Sequence, residues 1–243
     1  MRDCLTILRR ELGSLFLSPV AYVTAVVFIA ASAWTFLQAA EVKVGSDDSI
    51  VLILLVSILL WMPILVTVVC MRLFAEEKRS GTLEMLMTAP GSETAVILGK
   101  YASALLFVWL VLAPAVASLY WLAYVSPGLE QVDHFSVAGG CLVLALITAC
   151  CVAMGLLVSL LTRNQIVAAI CCFAAICIPF FAKPLAASVP IIRDGVVEYL
   201  SIEAHLVLFA SGGLSLQVGV LYLSVVVLLL FASVRILESR RWL

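Results

Sequence analysis

Charged residues are scarce in this sequence. Asp, Glu, Lys and Arg together make up 12% of its 243 residues, against about a quarter in soluble domains. Apolar residues make up 65% and form long uncharged runs. A run of about 18 apolar residues is long enough for a helix to cross a bilayer. The composition therefore excludes a soluble globular protein and predicts a polytopic membrane protein.

The alternation of apolar and polar residues that a transmembrane β-barrel requires is also missing. The stretch LVLALITACCVAMGLLVSLL at residues 142–161 is apolar on every face, as a helix in lipid is. We therefore predict an all-α fold that forms a single membrane domain over residues 1–243. The six predicted transmembrane helices cover residues 19–40, 50–71, 95–125, 135–161, 166–189 and 216–237.

The distribution of basic residues predicts the orientation in the membrane. An even number of spans places both termini on the same side. With the termini in the cytoplasm, eleven of the 14 Lys and Arg residues lie inside, and only Lys43, Lys183 and Arg193 lie outside. No cleavable signal peptide is expected, because the first apolar run begins only at Pro19 and is long enough to stay in the bilayer.

Ionisable residues are nearly absent from the predicted spans. Catalysis needs such groups placed together, and inside a membrane they mark function. Lys100 and Lys183 lie near the ends of spans, and we expect their amino groups to reach the membrane surface. No HExxH, GxSxG or paired acidic motif is present. These absences count against an intramembrane enzyme and against an ion-coupled transporter with buried carboxylates.

Motifs for nucleotide, metal and disulfide chemistry are missing as well. The segment GSETAVILGKY lacks the glycine spacing and the Ser or Thr of a phosphate-binding loop. Eight cysteines are present, but no CxxC pair occurs, so we interpret them as small packed apolar side chains. We expect no catalytic, metal or cofactor site in this chain and no nucleic-acid partner. Any ATP is expected on a partner subunit.

The first seventeen residues have the pattern of an amphipathic helix. Their apolar side chains fall in one arc at 100° per residue, opposite Arg9 and Arg10. We expect this helix to lie at the inner membrane surface with its arginines near lipid phosphates. It is either a passive anchor or a lever attached to the first span. Ser18-Pro19 then supplies an N-cap and a proline at the first helical position, so a new helix begins there.

One polar segment, MRLFAEEKRSGTLEMLMTAP at residues 71–90, holds six of the 29 charged residues. We expect Arg72 and Glu76 to continue the second span as a helix that ends at Ser80-Gly81. A second short helix is predicted over residues 82–88. A helix this short is not stable alone in water, so it needs a partner surface, either lipid or protein. Its apolar face consists of Leu83, Leu86 and Met87.

Residues 190–215 are too polar to span the membrane. Ser201 can cap a helix that ends at Gly212-Gly213. At 1.5 Å per residue this helix is about 16 Å long, which is half of a bilayer. We expect it to form a short extracytoplasmic re-entrant segment before the last span. His205 on this helix is interpreted as an interfacial polar residue, not as a ligand or a proton carrier.

The polar segment, read as EEKRSGTLEMLMTAP followed by ILGKY, resembles the loop between the second and third spans of type-2 ABC transporter permeases. In those permeases an E-x-x-x-GTLE-x-L segment forms the coupling helix, which docks on the ATPase subunit. Three further segments are similar in the expected order: RRELGSLFLSPVAYV, SLLTRNQIVAA and SIEAHLVLFASGGL. Together these segments resemble the permease subunit associated with gliding motility.

The resemblance implies a half-transporter in the bacterial cytoplasmic (inner) membrane. It implies an exporter that works with cytoplasmic ABC ATPase subunits and forms a dimer with a second copy or a related membrane chain, in contact with membrane lipid. The residues expected to couple to the ATPase are Glu76, Glu77, Arg79, Gly81, Thr82, Leu83, Glu84, Leu86 and Met87. Arg9, Arg10 and Glu11 of the interfacial helix are further expected contacts.

Other classes of function stay open at this point. The chain could be a non-transporting membrane scaffold or assembly factor whose polar segment recruits a cytoplasmic protein without ATP. An intramembrane enzyme is a third interpretation, which the missing ionisable groups disfavour. For a transporter, the absence of charged residues from the spans favours a lipidic, amphipathic or extended polymeric substrate over a small ion.

Overall fold

The computed structural model describes residues 2–42, 50–81, 92–125, 134–180, 201–210, 213 and 215–241. Over these residues the chain is helical and contains no strand, which confirms the predicted all-α fold. The helices are α1 (Arg2–Leu17), α2 (Pro19–Val42), α3 (Ile50–Leu73), α4 (Ala75–Ser80), α5 (Glu93–Val125), α6 (His134–Leu161), α7 (Gln165–Phe180), α8 (Ile202–Ala210) and α9 (Leu216–Arg241).

Five of these helices, α2, α3, α5, α6 and α9, are long and apolar enough to cross a membrane, and they match five of the six predicted spans. The sixth prediction, residues 166–189, overlaps α7, which has 16 residues. At 1.5 Å per residue α7 is about 24 Å long, short of the ~30 Å hydrocarbon core. Residues 181–189 lie outside the described residues, so the sixth span stays a prediction.

Helix α3 lies at the centre of the bundle, in contact with α2, α5, α6, α7 and α8. Ile58, Met62 and Val66 on this helix have no exposed surface. Helices α2 and α9 lie at the periphery and expose large apolar side chains such as Val26 and Leu228. Apolar side chains around the outside of a bundle suit contact with lipid, so the burial pattern agrees with the membrane assignment.

Helix α6 approaches its neighbours closely at a glycine. A Cβ atom at Gly155 would lie 2.7 Å from the Cβ of Cys70 on α3 and 3.0 Å from the Sγ of Cys172 on α7. The missing side chain therefore lets three helices meet at one point. Cys70 and Cys172 are free and buried there, as predicted for packed apolar side chains.

The helix breaks follow the sequence at two of three places. Helix α1 ends at Leu17 and α2 begins at Pro19, as predicted. Helix α4 ends at Gly81, whose φ of 73° is the left-handed conformation that glycine adopts without steric cost. The third break corrects the expectation of one continuous helix through Ser80. Phe74 separates α3 from α4 with φ −128° and ψ −33°.

Helix α8 begins after Ser201, whose Oγ accepts a hydrogen bond from the N–H of Ala204 at 3.3 Å. This contact is the predicted N-cap. The helix packs against α3, α6 and α7, and Leu206 and Phe209 are buried in that packing. The helix itself is therefore confirmed, and its placement on the extracytoplasmic side stays a prediction.

Candidate functional site

The candidate site is a group of charged side chains where α1, α4 and the start of α5 meet. At its centre the side chain of Lys100 is 1% exposed. Its Nζ lies 2.9 Å from a carboxylate oxygen of Glu77 on α4 and 3.2 Å from one of Glu11 on α1. It also donates a hydrogen bond to the carbonyl oxygen of Leu73 at 2.8 Å. Carboxylates of two other helices therefore compensate the buried charge of Lys100, and its reach to the membrane surface stays a prediction.

Helix α1 presents Glu11 to Lys100 because this residue lies on the packed face of the helix. Ile7 and Leu15 lie four residues before and after Glu11, which places all three on one side. Glu11 is 9% exposed and Leu15 is 6% exposed. A Cβ atom at Gly99 on α5 would lie 2.9 Å from the Cγ2 of Ile7. The missing side chain at Gly99 therefore lets α1 come close enough for Glu11 to reach Lys100.

Arg10 adds a second cation at the rim of the site. Its Nη2 lies 2.9 Å from a carboxylate oxygen of Glu11 and 3.5 Å from one of Glu77. The hydrogen bond that Arg10 donates to the carboxylate of Glu11 raises the pKa of Arg10. The Arg10 side chain is 59% exposed, so water weakens both ion pairs. We call Arg10, Glu11, Glu77 and Lys100 the Lys100 cluster; its two cations and two carboxylates balance in charge.

Helix α4 is fastened to the end of α6 as well. The Oγ of Ser159 on α6 accepts a hydrogen bond from the backbone N–H of Ala75 at 3.3 Å. The Nζ of Lys78 donates to the carbonyl oxygen of Leu160 and, at 3.1 Å, to that of Thr162. These bonds satisfy an N–H at the start of one helix and carbonyl groups at the end of the other. Helix α4 therefore bridges α6 and the Lys100 cluster.

A cleft of about 490 Å³ lies beside the cluster, between α1, α3, α4 and α5. Ser18, which separates α1 from α2, lies on its wall. Arg72 at the end of α3 donates a hydrogen bond to the Oγ of Ser18. The break between α1 and α2 is therefore tied to α3. The charged residues that line the cleft are Arg10, Glu11, Arg72, Glu76, Glu77 and Lys100.

The residues predicted to couple to an ATPase are only partly described. Glu76 and Glu77 lie on α4, where Glu76 is exposed and Glu77 is turned inward. Gly81 follows this helix, and Arg9 and Arg10 are exposed on α1. The predicted residues outside the described part of the chain are Thr82, Leu83, Glu84, Leu86 and Met87; for Arg79 only the backbone is described.

A comparison with protein families places this site in a known context. A family model described as ABC-2 family transporter protein matches residues 14–179, more than half of the chain. The chain belongs to this family. The matched range runs from the end of α1 into α7 and so includes Glu77 and Lys100. A search of curated proteins found no match.

Membership in the ABC-2 family makes the chain the membrane component of an ABC transporter. Such a component works with an ATPase on a partner subunit, and its own part is that of a permease. Together with the five apolar helices, membership also makes the chain a multi-pass membrane protein. The resemblance to type-2 ABC permeases is therefore confirmed at the level of the family.

Sequence reasoning did not assign Lys100 to the site of this ABC-2 permease, although two signals were present. Lys100 is an ionisable residue within an apolar run, and such residues are candidates for function. Glu11 lies at helical spacing between Ile7 and Leu15, on a face that is otherwise apolar. A carboxylate on a packed face needs a buried cation as its partner, and Lys100 is that cation.

The structure also places a polar contact at the other end of α6. Gly139 near the start of α6 contacts α8, whereas Ser159 near its end contacts α4. On α8, the Nδ1 of His205 lies 3.1 Å from the hydroxyl oxygen of Tyr222 on α9, and burial lowers the pKa of His205. Among the described residues, no group of three or more His, Cys, Asp or Glu side chains could hold a metal ion.

Proposed function

We propose that this chain is the permease subunit of an ATP-driven exporter and that a cytoplasmic ATPase docks on the segment that follows α4. The observation that carries the proposal is the attachment of α4 at both of its sides. Lys78 and Ser159 fasten it to α6, and Glu77 fastens it to Lys100 on α5 and to Arg10 on α1. A force applied to α4 is therefore transmitted directly to α1, α5 and α6.

The docking surface is formed by the exposed part of α4 and by the residues after it. Gly81 marks the point where α4 ends, and the predicted coupling residues from Thr82 to Met87 follow directly. Glu76 on α4 and Arg9 on α1 are exposed at the same end of the bundle. When the ATPase dimer closes on ATP, it pushes this surface and tilts the attached helices.

The assembly that supports this mechanism has two permease chains, identical or related, and two ATPase subunits. We place it in the bacterial cytoplasmic membrane with both termini in the cytoplasm, because eleven of the 14 basic residues then lie inside. The resemblance to the gliding-motility permease is the reason to propose that subfamily. The scarcity of charge within the spans favours a lipidic, amphipathic or extended polymeric substrate.

A charge-reversal variant tests the docking surface. The tagged chain with Glu76→Lys and Glu84→Lys is purified in mild detergent from its native membrane, and the co-purifying subunit is identified and assayed for ATP hydrolysis. We expect the wild-type chain to bring down an ATPase and the double variant to lose it, because reversed charges repel a surface built to fit carboxylates. Glu238→Lys, at a partly exposed residue near the end of α9, is the matched control.

Two outcomes contradict the proposal. If the double variant retains the ATPase and its stimulation at the wild-type level, the docking surface is elsewhere. If the wild-type chain brings down a cytoplasmic protein that does not hydrolyse ATP, the chain is a membrane scaffold and not a coupled permease.

A further inference from the structure

We propose that Lys100 is a positioning residue that transmits motion of α4 to the N-terminal helix α1 and to α5 together. The proposal rests on the proposed function, since it takes the ATPase as the source of the motion. It assigns Glu77 and Glu11 an internal role, as the two carboxylates through which Lys100 holds α4 and α1. Glu76, the exposed neighbour of Glu77, remains part of the docking surface.

The burial and the partners of Lys100 are the first support for this proposal. A lysine that is 1% exposed has lost its hydration, and its charge is tolerated only beside compensating charge. One carboxylate is enough to neutralise it, yet two lie within 3.2 Å of its Nζ, on two different helices. Two carboxylates from separate helices make Lys100 a junction between three elements.

The ion pairs of Glu77 are the second support for this proposal. A carboxylate oxygen of Glu77 contacts both cations of the Lys100 cluster, at 2.9 Å to Lys100 and 3.5 Å to Arg10. The ion pairs of α4 with Lys100 on α5 and with Arg10 on α1 therefore run through this one side chain. Loss of the Glu77 charge removes both at once, while Lys100 keeps Glu11 and the carbonyl oxygen of Leu73 as partners.

The cleft beside the Lys100 cluster is the third support for this proposal. About 490 Å³ of open volume separates α1 from α3 and α4 at this level. Elsewhere the helices meet in direct contact, as at Gly155, where one added carbon would overlap with Cys70. A tightly packed contact does not permit relative motion. Helices that are held by ion pairs across an open cleft can shift against each other while the charges remain paired, since Coulomb attraction falls off slowly with distance.

The test measures how nucleotide affects the exchange of backbone amide hydrogens in the complex of the full chain with its co-purified ATPase. Exchange is followed by mass spectrometry in residues 2–17 and 75–81, without nucleotide and with ATP plus vanadate. In the wild-type complex both segments should change their exchange on trapping. In Glu77→Gln, residues 75–81 should still respond, the ATPase should still co-purify, and the response of residues 2–17 should be lost.

A second variant and a control keep the result specific. Glu11→Gln leaves the pair of Lys100 with Glu77 in place and removes only the link to α1, so the response of residues 2–17 should again be lost. Glu238→Gln removes a carboxylate of similar type on α9, which pairs with Arg235 at 3.0 Å outside the cluster. This control should respond as the wild-type complex does in both segments.

The outcomes separate this proposal from the proposed function. If residues 2–17 respond to nucleotide in both Glu77→Gln and Glu11→Gln as they do in the wild-type complex, Lys100 does not transmit motion, although coupling itself stands. A purely structural role would lower the melting temperature and raise exchange without nucleotide while the response survived, which also overturns the proposal. If no ATPase accompanies the wild-type chain, or neither segment responds in it, both proposals fail.

Discussion

The two ends of α6 are held in different ways. At its far end Ser159 and Lys78 join α6 to α4, and the Lys100 cluster joins α4 to α1 and α5 through ion pairs. At its start the contacts are made by close packing. A Cβ atom at Gly139 would lie 2.7 Å from the carbonyl oxygen of Phe209 on α8. The far end is therefore joined by hydrogen bonds and ion pairs beside a cleft, one turn after the close contact at Gly155, and the start is joined by backbone in direct contact.

The difference matters for a protein that converts motion at one end into a path for substrate. Close packing has a steep distance dependence, so a contact such as Gly139 against Phe209 is either made or broken. Ion pairs weaken gradually, and partners can be shared among neighbours, as Arg10 and Lys100 share Glu77. The charged end is suited to receive a displacement, and the packed end to keep its shape while that displacement passes.

Removal of the central cation should have the largest effect on stability. Lys100→Met keeps the length of the side chain but leaves Glu11 and Glu77 partly buried beside each other, with only the largely exposed Arg10 as their cation. Breaking a buried ion pair in this way costs roughly 3–5 kcal/mol. We expect a much lower melting temperature in detergent, measured by differential scanning fluorimetry of the purified chain.

Two comparisons sharpen this result. Arg235→Met removes an exposed cation that pairs with Glu238 at 3.0 Å, and its effect should be below about 1 kcal/mol. The triple variant Lys100→Met, Glu11→Gln and Glu77→Gln removes all three charges and should recover most of the lost stability, because no unpaired buried charge remains. If Lys100→Met melts like Arg235→Met, the charged end does not depend on the cluster.

The local parts of the fold could be predicted from the sequence, and the parts that depend on contacts between helices could not. Five spans, the break at Pro19, the end of α4 at Gly81 and the cap at Ser201 all follow from residues adjacent in the chain. The break at Phe74 depends on α6, whose Ser159 accepts the N–H groups that the break leaves open. No local sequence pattern around Phe74 predicts Ser159 as the hydrogen-bond partner of this break.

In the candidate site, too, local features could be predicted from the sequence and contacts between helices could not. The sequence placed Glu76 and Glu77 on a helix that continues the second span, and the structure places both on the separate helix α4. It did not distinguish their directions, since adjacent helical residues point about 100° apart and only the neighbours decide which one is buried. The inward direction of Glu77 follows from Lys100, which lies 23 residues later. Docking by either glutamate stays a prediction.

A single added carbon at the packed end should have an intermediate effect. In Gly139→Ala the new Cβ meets a backbone oxygen of α8 that cannot rotate away, so α6 and α8 must separate. Overpacking of this kind costs about 1–3 kcal/mol. Gly219→Ala is the control, because nothing lies within 4 Å of its Cβ position on α9. That variant should melt at or slightly above the wild-type temperature, since alanine favours a helix by up to about 1 kcal/mol. Equal melting of the two variants would show that α8 is loosely held.

Acidification should have the smallest effect, and it should act through His205 on α8. Burial lowers the pKa of His205, so between its folded and unfolded pKa values the unfolded chain binds the proton more readily than the folded one. Stability should therefore fall as the pH drops below about 6.5, the usual pKa of histidine, and level off below the folded pKa. Melting temperatures between pH 7.5 and 5.5 measure this slope.

The chain's two histidines provide the control for this slope. His205→Gln should flatten it, because a glutamine cannot take up the proton and the contact with Tyr222 no longer titrates. His134, which is exposed at the start of α6 and stacks on Tyr120, should leave the slope in place when changed to Gln. A slope that survives in His205→Gln but disappears in His134→Gln would assign the proton to His134 on α6 and would contradict the view that the buried contact of His205 sets the pH dependence. A slope confined to His205 would mean that acid loosens the packed end through the contact of His205 with Tyr222.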